Sequence, residues 1–318
     1  MSGMNRQEFL RSVAVGGIAA TMTTVGGLDV MAQSTDGKAS DAADKPFDLV
    51  AVMGGEPVPM FETGIARIGG MERFVKKGQK VTIKPNIGWD RSPERAANTN
   101  PELVAAIVKS CLAAGASEVT VFDHTCDEWR KCYAASGIAA AAEAAGARVM
   151  PGNEESYYRE VDVPKGEVLK KALIHRAILD CDVWINVPVL KHHGGTNITI
   201  AMKNLMGIVF DRRFFHQNDL NQCIADICTL QPMAALHIVD AYRIVTENGP
   251  QGRSAADVTT PRGLFLSTDP VAIDTAATRF FSQVKEMPLE SVGYLARGEK
   301  LGLGTMDLSK LQIDRVRI

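Results

Sequence analysis

The sequence lacks the features that mark several broad classes of protein. Its 35 Lys and Arg residues are balanced by 37 Asp and Glu residues, which gives a formal net charge of −2. Proteins held to nucleic acid by phosphate neutralisation normally carry a basic excess, so nucleic acid is not an expected partner. Hydrophobic residues make up 46% and charged residues 23% of the chain, and these proportions exclude global disorder.

The motifs of common cofactor and metal sites are also missing. The six cysteines form no C-x-x-C pair, so the spacing of a ferredoxin cluster or a zinc ribbon is absent. The chain has no G-x-x-x-x-G-K-[ST] phosphate loop, no G-x-G-x-x-G turn and no H-E-x-x-H zinc helix. The sequence therefore leaves the cofactor unknown. Cys126 and Cys132, six residues apart, are the best candidates for a disulfide in an exported chain.

The first 32 residues resemble an export signal. A basic segment from Asn5 to Arg11 precedes a Gly- and Ala-rich apolar stretch and a small-residue cleavage site at Ala32. The pattern is similar to a twin-arginine signal, although Gln7 stands where the second arginine belongs. The stretch is too short and weak for a stable membrane span, which needs about 20 strongly apolar residues. We therefore predict a signal peptide over 1–32, a polar linker over 33–46, contact with export machinery, and a periplasmic or otherwise exported location.

Beyond residue 46, apolar runs of strand length alternate with helical patterns. The runs over 81–83, 118–122 and 183–190 are rich in Val and Ile, as strands buried on both faces are. Asn100 and Pro101 are a typical N-cap and first residue of a helix. This alternation predicts a single α/β domain over 47–318, with a mostly parallel sheet and helices on both faces.

Polar residues follow these apolar strands repeatedly. Ligands of parallel α/β sheets bind beyond the carboxyl ends of the strands, so we predict an active site at that edge. Lysines there would bind negative charge, and His192 would transfer protons, oriented by Asp240 or Asp123. The predicted catalytic residues are Lys84, Asp123, Lys191, His192 and Asp240.

The segment 191–207 is the densest in such residues. It begins at the end of a predicted strand and contains two consecutive glycines, and a helix is predicted over 198–209. The first N–H groups of that helix would bind an anion. A capped surface turn is the simpler interpretation. The expected ligand is an anionic small molecule, either a carboxylate or a phosphorylated compound. The predicted ligand-binding residues are Asn86, Gly194, Gly195, Thr196, Asn197, Lys203 and Asn204.

A metal site is a weaker alternative in the same region. His192, His193 and Asp240 are its candidate ligands, but adjacent residues of a strand point to opposite faces, and further ligands would be needed. Arg212 to His216 form either a substrate-contacting loop or a basic turn.

Several segments look like the domain-of-unknown-function 362 family of α/β proteins, some of whose members carry iron–sulfur modules. The matching pieces span roughly residues 48 to 282 and include VTIKPNIG, NVPVLKHHGGTNITIAMKNLMG and STDPVAIDTAA. The resemblance implies the α/β fold but no particular reaction. Three functions stay open: a proton-transfer or redox enzyme, a non-catalytic binding or cofactor-carrying protein, and a metal or iron–sulfur redox protein. The site that the resemblance implies includes Lys84, Asn86, Lys191, His192, Lys203, Asn204 and Asp240.

Overall fold

The computed structural model describes residues 46–318. The predicted signal peptide over 1–32 and the predicted linker up to residue 45 lie outside the described residues. The strands of the described part are β1 (Leu49–Met53), β2 (Lys80–Pro85), β3 (Glu118–Val121), β4 (Arg148–Val149), β5 (Tyr158–Asp162), β6 (Lys171–His175), β7 (Val183–Val187), β8 (Val189–His193), β9 (Asn197–Thr199), β10 (Leu236–Val245), β11 (Val258–Thr259), β12 (Gly263–Ser267) and β13 (Ile313–Arg317).

Helices connect most of these strands. They are α1 (Pro57–Arg67), α2 (Pro101–Ala113), α3 (Trp129–Ala135), α4 (Ile138–Ala144), α5 (Arg176–Leu179), α6 (Ala201–Asn204), α7 (Arg213–Gln217), α8 (Leu220–Ile227), α9 (Pro270–Phe281) and α10 (Gly293–Lys300). None of the helices in residues 46–318 has the length and apolar character needed to cross a bilayer.

Eleven strands form one sheet, whose main path runs in the order β13-β1-β12-β10-β7-β2-β3-β4. Parallel pairing joins β10 to β7 and continues through β2 and β3 to β4. Only β12 runs antiparallel to its neighbours β1 and β10 on this path. The predicted mostly parallel sheet is therefore confirmed. Because β2, β3 and β7 are parallel neighbours, the residues that follow them come together at one edge.

Both faces of the sheet are buried, as the sequence predicts. In β1, Val50 and Val52 enter one apolar core and Leu49 and Ala51 enter the other, because successive side chains of a strand point to opposite faces. Residues of α1, α2 and α4 belong to the first core, and residues of α8, α9 and α10 belong to the second. Helices thus cover both faces of the sheet.

The start of α2 follows the sequence prediction. The Asn100 side chain accepts hydrogen bonds from the N–H groups of Glu102 and Leu103, and Pro101 occupies the first turn, where it costs no hydrogen bond. This cap matters for the site because the loop that carries Asn86 ends at the start of α2.

The predicted helix over 198–209 is confirmed over 201–208, where α6 continues as a short 3-10 helix (Leu205–Ile208), but its predicted start is wrong. Gly194 and Gly195 turn a hairpin in which β9 pairs antiparallel with β8, and α6 begins only at Ala201. Asn197 has a φ of 63°, and β-branched residues follow it, so the segment favours a turn and an extended strand. The first two N–H groups of α6 donate to Asp274 at 2.8 and 3.0 Å, so an internal carboxylate already occupies this helix start.

All six cysteines lie in the described part of the chain and are free thiols. The candidate pair Cys126 and Cys132 forms no disulfide: Cys126 is exposed, while Cys132 is buried with its Sγ directed to the Gly88 carbonyl at 3.7 Å.

Candidate active site

A cavity of about 600 Å³ opens beyond the carboxyl ends of β2 and β3, beside β8 and α6. β2 brings Lys84, the turn after β3 brings Asp123, and β8 brings Lys191. α6 adds Lys203 and Asn204 from the opposite side. Residues more than a hundred positions apart in sequence therefore meet at one edge of the sheet.

Lys84 and Asp123 form the innermost ion pair of the cavity. Lys84 Nζ lies 2.7 Å from Asp123 Oδ1, and both side chains are almost fully buried. Lys84 Nζ also donates to Asn204 Oδ1 and to the Pro85 carbonyl, each at 2.9 Å. Burial lowers the pKa of Lys84, and the Asp123 carboxylate opposes that shift. The second carboxylate oxygen accepts the Ile87 N–H at 2.7 Å, which fixes the orientation of Asp123.

Three asparagines form a buried network around this pair. Asn204 Oδ1 accepts from Asn86 at 3.1 Å as well as from Lys84, and Asn204 Nδ2 donates to Asn186 Oδ1 at 2.8 Å. Asn186 in turn donates to the Ala201 carbonyl at 2.9 Å. The network ties β2 and β7 to α6 and leaves few free polar atoms, so it makes the cavity floor rigid.

Lys191 is buried on the cavity wall without a carboxylate partner. Its Nζ donates to Asn86 Oδ1 at 2.7 Å and to the Ala97 carbonyl, and the side chain is 1% exposed. Burial lowers the pKa of Lys191 to about 7, and the nearby Lys203 charge acts in the same direction. A lysine in this state exchanges a proton near neutrality.

Lys203 and two arginines line the outer part of the cavity. Lys203 is 9% exposed, and burial lowers its pKa to about 8. Arg212 donates to the carbonyls of His124 and Thr125 at 2.9 and 2.5 Å, so its guanidinium is held in place, and Arg213 lies beside it. Within residues 46–318, no carboxylate forms an ion pair with Lys203 or with either arginine.

The two adjacent histidines lie in different surroundings. His193 lines the cavity, and its Nδ1 accepts the Gly195 N–H at 3.0 Å, which places the ring proton on Nε2. Burial lowers the pKa of His193 to about 2, with the charges of Lys203 and Lys191 adding to the effect. His192 is not on the cavity wall. Its Nδ1 accepts the Gly249 N–H at 3.1 Å, close to Lys285 and Glu247.

Asp240 lies behind the site and not on its wall. Its carboxylate accepts the N–H groups of Asn100 and Tyr242 at 2.8 and 3.0 Å, inside strand β10. Burial raises the pKa of Asp240 to about 6. The residue thus anchors the loop that delivers the Ala97 carbonyl to Lys191.

The remaining predicted ligand-binding residues lie in the β8–β9 hairpin. Gly194 and Gly195 form its exposed turn, and Thr196 is buried with its hydroxyl bound to the Ile198 carbonyl at 3.0 Å. Asn197 donates to the Ser291 carbonyl at 2.8 Å. These four residues do not line the cavity.

The structure also places in the site residues outside the predicted catalytic and ligand-binding sets. Arg212, Arg213 and His216 come from the basic turn around α7, His124 and Cys126 from the loop after β3. The segment from Arg212 to His216 contains these first three residues, and its place on the cavity wall agrees with the interpretation as a substrate-contacting loop. Within residues 46–318, no three His, Cys, Asp or Glu side chains come together as a metal site, so His192, His193 and Asp240 form no such group.

Comparison with known proteins gives a family and one curated relative. The family model described as "Domain of unknown function (DUF362)" matches residues 81–279, a span that contains all the cavity residues named above. The thylakoid-associated protein sll1697 of Synechocystis sp. is 26% identical over 259 residues, which cover 78% of this chain and 76% of that protein.

Two solved structures are similar in fold. One is the lactate racemase apoprotein from Thermoanaerobacterium thermosaccharolyticum, at 12% identity, with a TM-score of 0.48 over 77% of this chain. The other is a structural-genomics protein from Thermotoga maritima, also at 12% identity, with a TM-score of 0.45 over 77% of this chain. The matches cover 59% and 60% of the length of those two chains.

Proposed function

The chain belongs to the DUF362 family, and from that premise and the cavity chemistry we propose that it is an enzyme that binds an anionic small molecule and transfers protons on it. The ligand class is a carboxylate or a phosphorylated compound. The cavity volume of about 600 Å³ lies within the usual range for small-molecule sites.

A single observation carries this proposal: the cavity wall has more positive charge than the protein neutralises. Buried charges are costly unless they are paired, and a bound anion would supply the missing partner. Asp123 is the only carboxylate on the described cavity wall, and it is already paired with Lys84. The permanent or potential cations of the wall are three buried lysines and two arginines, of which the first is half-buried and the second exposed: Lys84, Lys191, Lys203, Arg212 and Arg213.

Lys191 and His193 are the residues that we propose for proton transfer, Lys191 as the group that gains and loses the proton and His193 as a hydrogen-bond donor. Lys191 has a pKa near neutrality, so it can both accept and donate a proton. His193 stays neutral and can donate a hydrogen bond from Nε2 to a substrate oxygen. In this proposal His193 takes the role predicted for His192, because of the two adjacent histidines it is His193 that lines the cavity. Asp240 acts as a positioning residue for the loop above Lys191.

Isothermal titration of the purified protein with inorganic phosphate, sulfate and succinate tests the anion site. Lys203→Met should weaken binding by about tenfold or more, because a charge-assisted hydrogen bond contributes about 1.5–3 kcal/mol. Lys165→Met, at an exposed loop position, is the matched control and should bind as the unaltered protein does. Equal affinities in all three proteins, or no binding of any anion, would overturn the proposal.

A binding protein without turnover would use the same cavity. Native mass spectrometry of protein purified from its own organism distinguishes a binding protein from an enzyme, because a binding protein retains one ligand unchanged. An enzyme converts the retained compound or its analogue, and Lys191→Met then abolishes conversion while anions still bind.

Export to the periplasm is a further part of the proposal. It is supported by the signal-like residues 1–32 and by the Synechocystis relative, whose name places it at thylakoids. Replacing Arg6 and Arg11 by Gln should leave the full-length chain in the cytoplasmic fraction, whereas an unchanged distribution would contradict an export signal.

A further inference from the structure

The three buried lysines of the cavity differ in the number of acceptors that the protein gives them. Lys84 has three acceptors, one of them the Asp123 carboxylate, which match the three N–H groups of an ammonium. Lys191 has two neutral acceptors. Lys203 has none among the described residues and keeps its charge for a ligand. The three lysines therefore differ in the charge state that their surroundings favour and in their availability to a ligand.

The acceptor set of Lys191 matches a neutral amine. An uncharged amine has two N–H groups and one lone pair, and the two N–H groups are taken by Asn86 Oδ1 and the Ala97 carbonyl. The lone pair then occupies the remaining tetrahedral direction. Lys191 lines the cavity, and it is 1% exposed, so little water reaches the amine. Burial, which lowers the pKa of Lys191 to about 7, agrees with this geometry.

Groups that would hold a reacting carbonyl compound surround this amine. Lys203 and Arg212 on the same cavity supply charge for a carboxylate. His193 carries its proton on Nε2, because Nδ1 accepts the Gly195 N–H at 3.0 Å. A neutral imidazole N–H of this kind can stabilise the oxygen of a carbonyl group under attack.

We propose that Lys191 is a nucleophile that forms an imine with the carbonyl carbon of an anionic substrate, so that the site takes 2-oxo acids and related carbonyl-bearing anions. This inference rests on the proposed function, since it needs the anion subsite of Lys203 and Arg212. It goes further by naming a covalent intermediate and a substrate class.

The step is balanced without any outside oxidant or reductant. The lone pair of Lys191 Nζ attacks the carbonyl carbon, and the carbon–oxygen π electrons move to the oxygen, which His193 stabilises. A C–N bond has then formed. The carbinolamine loses its oxygen as water, which carries away the two amine hydrogens and leaves a C=N bond. A proton taken up by the imine nitrogen gives the iminium, a sink for the electrons of a neighbouring bond.

Reductive trapping with glyoxylate as the probe tests the inference directly. Sodium cyanoborohydride reduces an imine of glyoxylate to a carboxymethyl-lysine, which peptide mapping by mass spectrometry locates. The expected result is a single carboxymethyl group on Lys191 at neutral pH, formed faster than on exposed lysines such as Lys165. Inorganic phosphate, by occupying the anion subsite, should slow the labelling of Lys191 but not that of Lys165.

Two variants make the test specific. Lys191→Met should lose the label while still binding phosphate. Asn86→Asp keeps the lysine and replaces one neutral acceptor by a carboxylate of the same shape, which favours the ammonium form. A rise of one unit in the pKa of Lys191 lowers the fraction of neutral amine at pH 7 from about one half to about one eleventh, so trapping at pH 7 should slow by about fivefold or more.

The outcomes separate this inference from the proposed function. Phosphate binding without selective trapping at Lys191 would overturn the imine and leave the anion site standing, with Lys191 acting only on protons. Labelling of Lys84 in place of Lys191 would contradict the acceptor argument. Failure of the unaltered protein to bind any anion would overturn the proposed function itself.

Discussion

Lys84 and Asp123 form an ion pair 2.7 Å long that is sealed from solvent, and the backbone at Gly207 closes against it. An added Cβ at Gly207 would lie 2.1 Å from Asp123 Oδ1 and 2.5 Å from Lys84 Nζ. The pair therefore has a fixed position between β2, the turn after β3 and the segment after α6. It supports the cavity floor, and Lys191 and Lys203 remain available to a ligand.

Removing one partner of this pair should be strongly destabilising. Asp123→Asn keeps the shape of the side chain and an acceptor for the Ile87 N–H, but leaves the Lys84 ammonium without its counter-charge. We expect the free energy of unfolding to fall by about 3–5 kcal/mol, the usual cost of breaking a buried pair, as measured by urea denaturation.

The double variant Lys84→Met with Asp123→Asn removes the uncompensated charge and should recover part of that loss. Lys171→Met is the control, because Lys171 and Glu160 form a surface pair that is 60% exposed on each side. Its effect should stay below about 1 kcal/mol. If Asp123→Asn were no more harmful than this control, the buried pair would have no structural importance.

Gly207 and Gly194 should differ in their sensitivity to substitution by alanine. Gly207→Ala forces the buried pair apart, so we expect a loss of about 1–3 kcal/mol in stability and weaker anion binding. A Cβ at Gly194 would meet no atom within 4 Å, so Gly194→Ala should change neither property. Loss of anion binding in Gly194→Ala would instead support the backbone anion site that the sequence pattern suggested.

The apolar runs of strand length predict the fold well, because a strand buried on both faces needs apolar side chains along its whole length. The Val- and Ile-rich runs ending near Lys84, Asp123 and Lys191 give a parallel sheet, and the topology then brings these residues to one edge. Their convergence follows from the parallel pairing of β2, β3 and β7. Asn100 and Pro101 mark the start of α2 because capping depends on local chemistry alone.

The misplaced start of the helix and the choice of histidine both depend on long-range contacts, which local sequence patterns do not report. Two glycines before a mixed segment are compatible with a helix start or a hairpin turn, and long-range pairing of β9 with β8 decides between them. Asp274, more than seventy residues away, then occupies the start of α6. Whether His192 or His193 faces the cavity depends on the register of β8, which the sequence does not reveal.

The pH dependence of stability should reveal the buried Lys191. Its pKa is lowered to about 7 in the folded protein against 10.5 for a free side chain. Between those values the unfolded chain binds one more proton, so the stability of the ligand-free protein rises with pH and is lost as pH falls toward 7. Relative to Lys191→Met, the free energy of unfolding should increase by about 1 kcal/mol per pH unit between pH 7.5 and 9.5.

The two proteins are compared by the slope of the free energy of unfolding against pH. Lys191→Met also leaves Asn86 Oδ1 and the Ala97 carbonyl without a donor, and this loss of stability does not depend on pH. Urea unfolding in sulfate- and phosphate-free buffer gives the two curves. Parallel curves for the two proteins would mean that Lys191 remains charged throughout this range.

Anion affinity should depend on pH in the opposite direction. Burial lowers the pKa of Lys203 to about 8 in the ligand-free cavity, and an anion bound at the Lys203 and Arg212 subsite favours its charged form. Above pH 8, binding must therefore take up a proton, so affinity falls as pH rises. Because about nine-tenths of Lys203 is neutral one unit above its pKa, sulfate should bind about tenfold more weakly at pH 9 than at pH 7.

Sulfate is the suitable probe since its own charge is constant over this range. Titration calorimetry in two buffers of different ionisation enthalpy measures the proton uptake directly, and uptake should increase from pH 7 to pH 9. Lys203→Met should bind weakly with a flatter pH dependence, while Lys165→Met should follow the unaltered protein. An affinity that is constant from pH 7 to pH 9, with no proton uptake, would show that Lys203 does not titrate when an anion binds.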